Sequence, residues 1–434
     1  RGRAAGPPIL IGVFVIGLAI GLPIAFVMGV SSLAALAWEG KLSMLSVPQR
    51  VFDGINSFPL MAVPFFILAA DLMTASGITT ALLRFSQSIV GHIRGGLGHV
   101  NVVPSVLFAG ISGSALADAA GPGAIEMRMM EKAGYDRYYS AALSAATATI
   151  GPIIPPSIIM VIYALTDSRV TVAGLFLAGV VPGLLLGAAL MLANHVISVR
   201  RGYGAAEPRR GWGERLKALM RATPILAMPA IIIGGILSGL FTPPEASAVA
   251  VVYALLIGLF VTRTLNARIV AKVLLQSGLV TSAALIIVST ASLFAWLLTL
   301  LQIPQTIAGS IGQMTTSPLL VMIIVAAFVL VCGLFIDTLP AVIILVPVLA
   351  PLADQFGIPP LQFAMAIVLN LTIGMITPPV GAVLFVMVSV ARLKLDRLAR
   401  AILPLLAAEL VVLLLVIFFP SLSTAVPTLF GYAK

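Results

Sequence analysis

From Pro8 to Trp38 the chain carries no charged residue, and the same is true from Thr171 to Ile197. About 20 consecutive apolar residues suffice to cross the hydrocarbon core of a bilayer. A further run at 401–419 is interrupted by one charge, Glu409. Hydrophobic residues fill 60% of the 434 positions and charged residues 9%, where a soluble domain carries about 25% charged. Backbone polar groups inside hydrocarbon must be satisfied within the chain, so the spans have to be helical. The expected fold class is an all-α polytopic membrane protein.

Several function classes fall away on composition. The sole cysteine, Cys332, cannot pair within the chain or build a thiolate metal site, and His92, His99 and His195 are too few and scattered for zinc or haem. There is no G-x-x-x-x-G-K-[ST] loop, so neither ATP nor an organic cofactor is expected. The net charge of +10 is dispersed among short loops instead of forming one basic face, which argues against nucleic acid. The run 8–38 is expected as one long first span; it has no small-residue cleavage site and is too long for a secretory signal. Because the chain opens on Arg1 and not Met, processing, or membership of a longer polypeptide, is expected.

Basic clusters thread the spans. Arg200, Arg201, Arg209, Arg210, Arg215, Lys217 and Arg221 crowd a loop at 199–222, and such loops are cytoplasmic. Walking outwards gives spans at 223–241, 245–262 and 274–300, an uncharged loop at 302–317, a re-entrant hairpin at 318–352, a broken helix at 363–391 and a last span at 401–420. Walking back gives 171–198, a broken helix at 138–165, a hairpin within 98–130, an amphipathic surface helix near 78–92, and spans at 58–76 and 8–38. On this threading every Lys and Arg lies inside except Lys41, Arg50, Arg169 and Lys434. The N-terminus is cytoplasmic and the C-terminus is outside.

A shift of 223 residues sets Gly110 on Gly333, Gly134 on Gly357, and Ile150-Gly151-Pro152-Ile153-Ile154-Pro155-Pro156 on Ile373-Gly374-Met375-Ile376-Thr377-Pro378-Pro379, with no gap. Ser114 then meets Asp337, Thr147 meets Asn370 and Thr149 meets Thr372. The domains expected are a first repeat at 1–222, a connector at 223–244 and an inverted second repeat at 245–434. Inverted repeats with interrupted helices characterise secondary transporters, whose sites lie where the breaks meet. Consecutive prolines remove two N–H donors and bar α geometry just before them, so the helix opens there. The freed carbonyls can coordinate a small cation, and the next half-helix presents its positive end to an anion.

The stretch Gly110-Ile111-Ser112-Gly113-Ser114-Ala115-Leu116-Ala117-Asp118 keeps three readings: tight helix packing, an intramembrane serine nucleophile, or a helix opened to an ion. The nucleophile needs a histidine at its own depth, and the three histidines sit near helix ends. Asp337 is a carboxylate in an apolar hairpin, functional by default or else paired with a distant arginine. Asp118 either caps a half-helix or acts in the site. Asp71 reads as interfacial, and Glu245 as a first-turn carboxylate favoured by the helix dipole. Glu409 has no account at this level.

Four segments in order, 110–118, Gly151-Pro152-Ile153-Ile154-Pro155-Pro156-Ser157, 234–246 and 373–381, resemble the large membrane subunit of tripartite ATP-independent periplasmic (TRAP) transporters, and the likeness runs end to end. Phe335-Ile336-Asp337-Thr338-Leu339-Pro340 departs from that family's more usual Asp-Pro, and Thr242-Pro243-Pro244-Glu245 from its Thr-Pro-Thr-Glu. The resemblance implies a sodium-coupled, elevator-type importer of organic acids in a bacterial or archaeal inner membrane. Its partners would be a four-helix small membrane subunit, separate or fused upstream, and a periplasmic binding protein. It implies a first sodium site at Gly110, Ser112, Ser114, Thr149 and Gly151, and a second at Gly333, Asp337, Thr338, Thr372, Gly374 and Thr377. Substrate would lie near Pro155, Pro156, Ser157, Asn370, Pro378 and Gly381. A symporter that works without a binding protein is the alternative.

Overall fold

The computed structural model describes residues 6–40, 44–204 and 211–432, and their side chains except those at 78–79, 108–112, 308 and 312. Among the described residues, 8 helices are long and apolar enough to cross a membrane. The protein is a multi-pass helical membrane protein.

Three stretches differ from the sequence reading. The run 8–38 is not one span but a hairpin of two short helices, Gly6–Ala19 (14 residues) and Ile24–Glu39 (16 residues). Gly21 takes a left-handed φ of +79° and Pro23 caps the second helix, so the chain folds back within the apolar run. Gly17 packs on Val27, and Gly6 lies against the Glu39 carboxylate and Leu301. Residue 6 is therefore at the same end of the molecule as residue 39, and not at the opposite end as a single span requires. The uncharged loop expected at 302–317 contains the helix Ile303–Met314, with proline in its first turn and Ile303, Ile307 and Ile311 along one side. The expected loop 199–222 is largely helix, because Val172–Arg201 and Trp212–Leu237 run into it from both sides.

Paired and interrupted helices occupy the segments read as hairpins and broken helices. The first hairpin is Gly96–Ser112, Ala115–Ala120 and Pro122–Lys132. Gly113, at φ +58°, turns its tip, and the Ser114 hydroxyl then accepts from the Ala117 N–H at 3.4 Å. The second hairpin is Pro318–Phe335 and Thr338–Gln355, with Asp337 capping the return helix through the Thr338 N–H at 2.7 Å. The first interrupted helix is Arg137–Ala148 and Ile158–Thr166, the second Pro360–Gly374 and Ala382–Ala391. Both breaks carry a cis Pro–Pro bond at the matching place, Pro155–Pro156 and Pro378–Pro379. Ser157 restarts the first helix by accepting from the Met160 N–H at 3.3 Å; the second restarts after Gly381, at φ +55°, where the Val383 N–H donates to the Met375 carbonyl at 2.9 Å.

Element bounds repeat at the same offset of 223: Gly96–Ser112 against Pro318–Phe335, Ala115 to Lys132 against Thr338–Gln355, Arg137–Ala148 against Pro360–Gly374, and Val172–Arg201 against Leu395–Phe418. Helix ends gather at two rims. At one, the Arg137 guanidinium donates to the Ala391 carbonyl, Arg397 stacks 5.8 Å over Tyr138, and Gly95 and Gly98 pack on Asn194. At the other, Arg169 bridges Asp167 at 2.8 Å and Asp354 at 3.4 Å, Gly174 packs on Leu361 and Tyr432, and Arg50 stacks 5.0 Å over Trp296.

Candidate functional site

A cavity of about 900 Å³ opens where the hairpin tips face the two long helices of the surrounding framework. Gly113 to Asp118 contribute from the first tip, Asp337 to Pro340 from the second, and Pro152, Ile158 and Ile159 from the first break. The opposite wall is made by one face of Ala62–Ala75, at Ile67, Ala70, Asp71 and Thr74, and one face of Ala267–Leu300, at Gln276, Val280, Ala283, Ala284 and Ile287. Both sets follow the three-and-four spacing that lines up one side of a helix. The wall residues lie in the halves of these helices nearest the rim where Gly77 meets Thr264.

The charges in this cavity all have one sign. Asp71, Asp118 and Asp337 line it, and among the described residues no Lys, Arg or His does. Asp337 holds the Thr338 N–H, and Asp71 accepts from the Ser277 hydroxyl at 2.6 Å. The sequence placed Asp71 at an interface; here it faces the hairpin tips across the cavity. Its spacing with Ile67, Ala70 and Thr74 was the available signal, since that face is small and weakly anchoring.

The residues assigned to sodium fall into two close groups. Around the first break, a side chain on Gly151 would run into the Asp118 carboxylate, which brings the tip of the first hairpin onto the break. The Thr149 hydroxyl lies 2.7 Å from the Ala146 carbonyl and 3.1 Å from Glu409 Oε1. Gly110 and Ser112 lie outside the described side chains; Ser114 lines the cavity. Around the second break, Gly333 and Gly374 touch backbone to backbone: a Cβ on Gly374 would stand 2.7 Å from the Gly333 Cα. The Thr338 hydroxyl sits 2.8 Å from Met375 Sδ, Thr372 donates to Leu369 O at 2.8 Å and Thr377 to Ile373 O at 2.7 Å. A hydroxyl that spends its proton on its own helix keeps lone pairs for a cation, so this donor set fits sodium. Among the described residues no cluster of three or more His, Cys, Asp and Glu forms, which leaves hard neutral oxygens and single carboxylates as the available ligands.

The residues assigned to substrate are placed differently. Pro155, Pro156, Ser157, Asn370, Pro378 and Gly381 lie in or beside the breaks, but none is among the residues lining the cavity. Ser157 is fully buried and donates to the Pro152 carbonyl at 2.5 Å. Asn370 donates to the Ala326 carbonyl at 2.6 Å, which ties the second interrupted helix to the second hairpin, and its Oδ1 is buried without a partner. Glu409, buried in the last long helix, has its Oε2 unpartnered as well.

Two of the three histidines, His99 and His195, stand away from the first tip. His99 and His195 stack on each other at 6.0 Å near the helix ends. His99 is on the same helix as Ser112 and about 20 Å from it along the axis. That separation takes His99 and His195 out of the serine-nucleophile reading.

Comparison with known proteins bears on the whole chain. Residues 11–422 match the DctM component of the tripartite ATP-independent periplasmic transporters. The chain is 40% identical over 415 residues to the sialic acid TRAP transporter large permease protein SiaM of Vibrio cholerae, covering 95% of this chain and 97% of that one. It is 36% identical over 415 residues to the isethionate TRAP transporter permease protein DctMQ of Oleidesulfovibrio alaskensis, covering 96% of this chain and 65% of that longer protein. The solved structure of the Alcanivorax borkumensis YdaH transporter superposes with a TM-score of 0.67 at 16% identity, covering 95% of this chain and 98% of that one, a likeness of fold. With helical hairpins, Pro–Pro breaks and near full-length identity to permease subunits, the chain belongs to the DctM component family of TRAP transporters.

Proposed function

We propose that this permease subunit imports an organic acid by coupling it to sodium, with the hairpins and interrupted helices moving as one body against the framework. The observation that carries this reading is the cavity with three aspartates and no base. A substrate carboxylate placed about 6 Å from one such aspartate would be repelled by roughly 3 kcal/mol at an effective dielectric near 20. Three such terms bar an anion that arrives alone. Two monovalent cations held at the breaks offset most of this charge, so entry of the anion depends on sodium.

The repeated element bounds and the separation of helix ends into two rims support two inverted repeats, 1–222 and 245–434, joined through 223–244. Arg137, Arg201 and Arg397 stand together at one rim, which the positive-inside rule assigns to the cytoplasm. The cavity lies toward the rim of Gly77 and Thr264, next to Arg263 and Arg268, and on the same rule that rim is read as cytoplasmic and this conformation as inward-facing. Small residues on the framework wall, Ala70, Ala283 and Ala284, suit a surface that slides.

The Vibrio relative is described as a large permease of a sialic acid transporter, and the Oleidesulfovibrio relative as a longer isethionate permease. A small membrane subunit, separate or fused, and a periplasmic binding protein are accordingly the partners. The test is uptake in proteoliposomes by the complete transporter, with sialic acid, isethionate and succinate as probes. Uptake of one probe is expected only with its binding protein and an inward sodium gradient. Asp337→Asn is expected to lower the sodium dependence at least tenfold; unchanged sodium dependence in that variant refutes the coupling assigned to it.

A further inference from the structure

Behind the first hairpin tip lies a second, much smaller chamber of about 30 Å³. A water-sized particle needs roughly 10–15 Å³ of such space. Asp118 and Pro122 line both this chamber and the large cavity, so Asp118 stands at the door between them. The inner wall is Glu126, with Ser105, Ser144 and Thr147 around it.

Glu126 is 4% exposed and, among the described residues, has neither a hydrogen bond nor an ion pair. The charged group facing it is Asp118, of the same sign. Helix geometry does not explain its placement. It sits in the second turn of Pro122–Lys132, while Arg128 and Lys132 of the same helix are not among the chamber's lining residues.

Asn101 fixes the polarity of the remaining wall. Its Nδ2 donates to the Ser144 hydroxyl at 2.7 Å, and its Oδ1 accepts from the Thr147 hydroxyl at 2.7 Å. Ser105 spends its proton on the Asn101 carbonyl at 3.2 Å. Thr147 and Ser105 thus turn lone pairs, not protons, toward the space between the two carboxylates. An acceptor-rich chamber with two acids and no donor from a base calls for a cation, and its size admits one unhydrated monovalent ion.

We propose that Asp118, Glu126, Ser105, Ser144 and Thr147 form a further sodium site, additional to the two at the helix breaks, adjoining the first through Asp118 and reached from the cavity past that residue. The pair of carboxylates makes it the most negative of the three. No base is needed to neutralise Glu126 once the ion is seated.

The purified chain, titrated with NaCl against choline chloride at constant ionic strength, gives the first readout. Wild type is expected to gain thermal stability with sodium, and Glu126→Gln to need at least tenfold more NaCl for the same gain. An unchanged NaCl requirement in Glu126→Gln overturns the site. Equal stabilisation of wild type by NaCl and choline chloride overturns it too, since the two acids then share a proton. A readout on wild type alone guards against misfolding of the variant. Crystals soaked in thallium(I) should show an anomalous peak between Asp118 and Glu126, and an empty chamber beside occupied break sites overturns the proposal. Failure here is distinct from failure of sodium coupling. Sodium-driven uptake that persists with an empty chamber sinks only the additional site, whereas uptake indifferent to sodium sinks the coupling.

Discussion

Gly374→Ala tests whether the contact between the second hairpin and the second break sets sodium affinity. The added Cβ would lie 2.7 Å from the Gly333 Cα, 2.8 Å from its carbonyl carbon and 3.1 Å from its oxygen. Carbon atoms rest at about 3.5–4.0 Å, so one backbone must retreat by about 0.8 Å, and no flexible side chain can yield in its place. Overpacking of this kind costs about 1–3 kcal/mol. Alanine gains up to ~1 kcal/mol over glycine in a helix interior, but Gly374 is the last helical residue, so little of that is recovered. The clash wins.

If the tip backs away from the break, sodium must draw it in again, and the penalty appears in the binding constant. One to three kcal/mol corresponds to a loss of roughly 5- to 150-fold in sodium affinity. The assay is the midpoint of NaCl-dependent thermal stabilisation, repeated as the sodium dependence of uptake. Gly333→Ala is the internal control: its Cβ would meet Gly374 Cα and Leu371 O at 3.2 Å, a milder approach. Wild-type sodium affinity in Gly374→Ala, or a larger loss in Gly333→Ala, refutes the reasoning.

Two further outcomes follow from other parts of the molecule. Thr149→Val leaves both oxygens of the buried Glu409 without a partner, at a cost of about 1–3 kcal/mol; a lowered melting temperature without substrate or sodium is expected, and an unchanged one shows that Glu409 does not need Thr149. Pro8→Cys and Glu39→Cys should both react with a membrane-impermeant maleimide from the same side, because Pro8 is exposed beside Gly6, which lies against Glu39 at one end of the first hairpin. Labelling from opposite sides would restore a single span over 8–38.

The parts of this fold that were legible in the sequence are those written as local chemistry. Apolar length marks the spans, and Pro155-Pro156 and Pro378-Pro379 mark where helices must open. The offset of 223 places both hairpins and both breaks at bounds the structure reproduces to within a few residues. The first hairpin was hidden because Gly21-Leu22-Pro23 lies inside an uninterrupted apolar run, and hydropathy alone does not separate a kink from a reversal. The helix Ile303–Met314 was hidden because a segment without charges gave the threading nothing to anchor.

The site was less legible for a different reason. Asp71, Asp118 and Asp337 come from three elements, and each taken alone has an ordinary explanation: an interface, a cap, a distant ion pair. Only their convergence on one cavity without a base turns them into a functional statement. Likewise Glu126 reads as one more charge in Glu126-Met127-Arg128, with an arginine two positions away to excuse it. Residues two apart on a helix do not face each other, so that arginine cannot serve. The return of the hairpin brings Glu126 onto Asp118 and Thr147 instead. On the proposed sodium-coupled reading, a carrier for anions that collects acids at its centre is no contradiction, because the acids would hold the cations and the cations the anion. Substrate choice then has few fixed points inside this chain, which accords with relatives of similar identity being described for sialic acid and for isethionate. On the proposed reading the breaks govern the sodium, and the residues placed to select the anion are those of the cavity wall, Ile67, Ala70, Thr74, Gln276 and Ile287, whose side chains can change without disturbing either break.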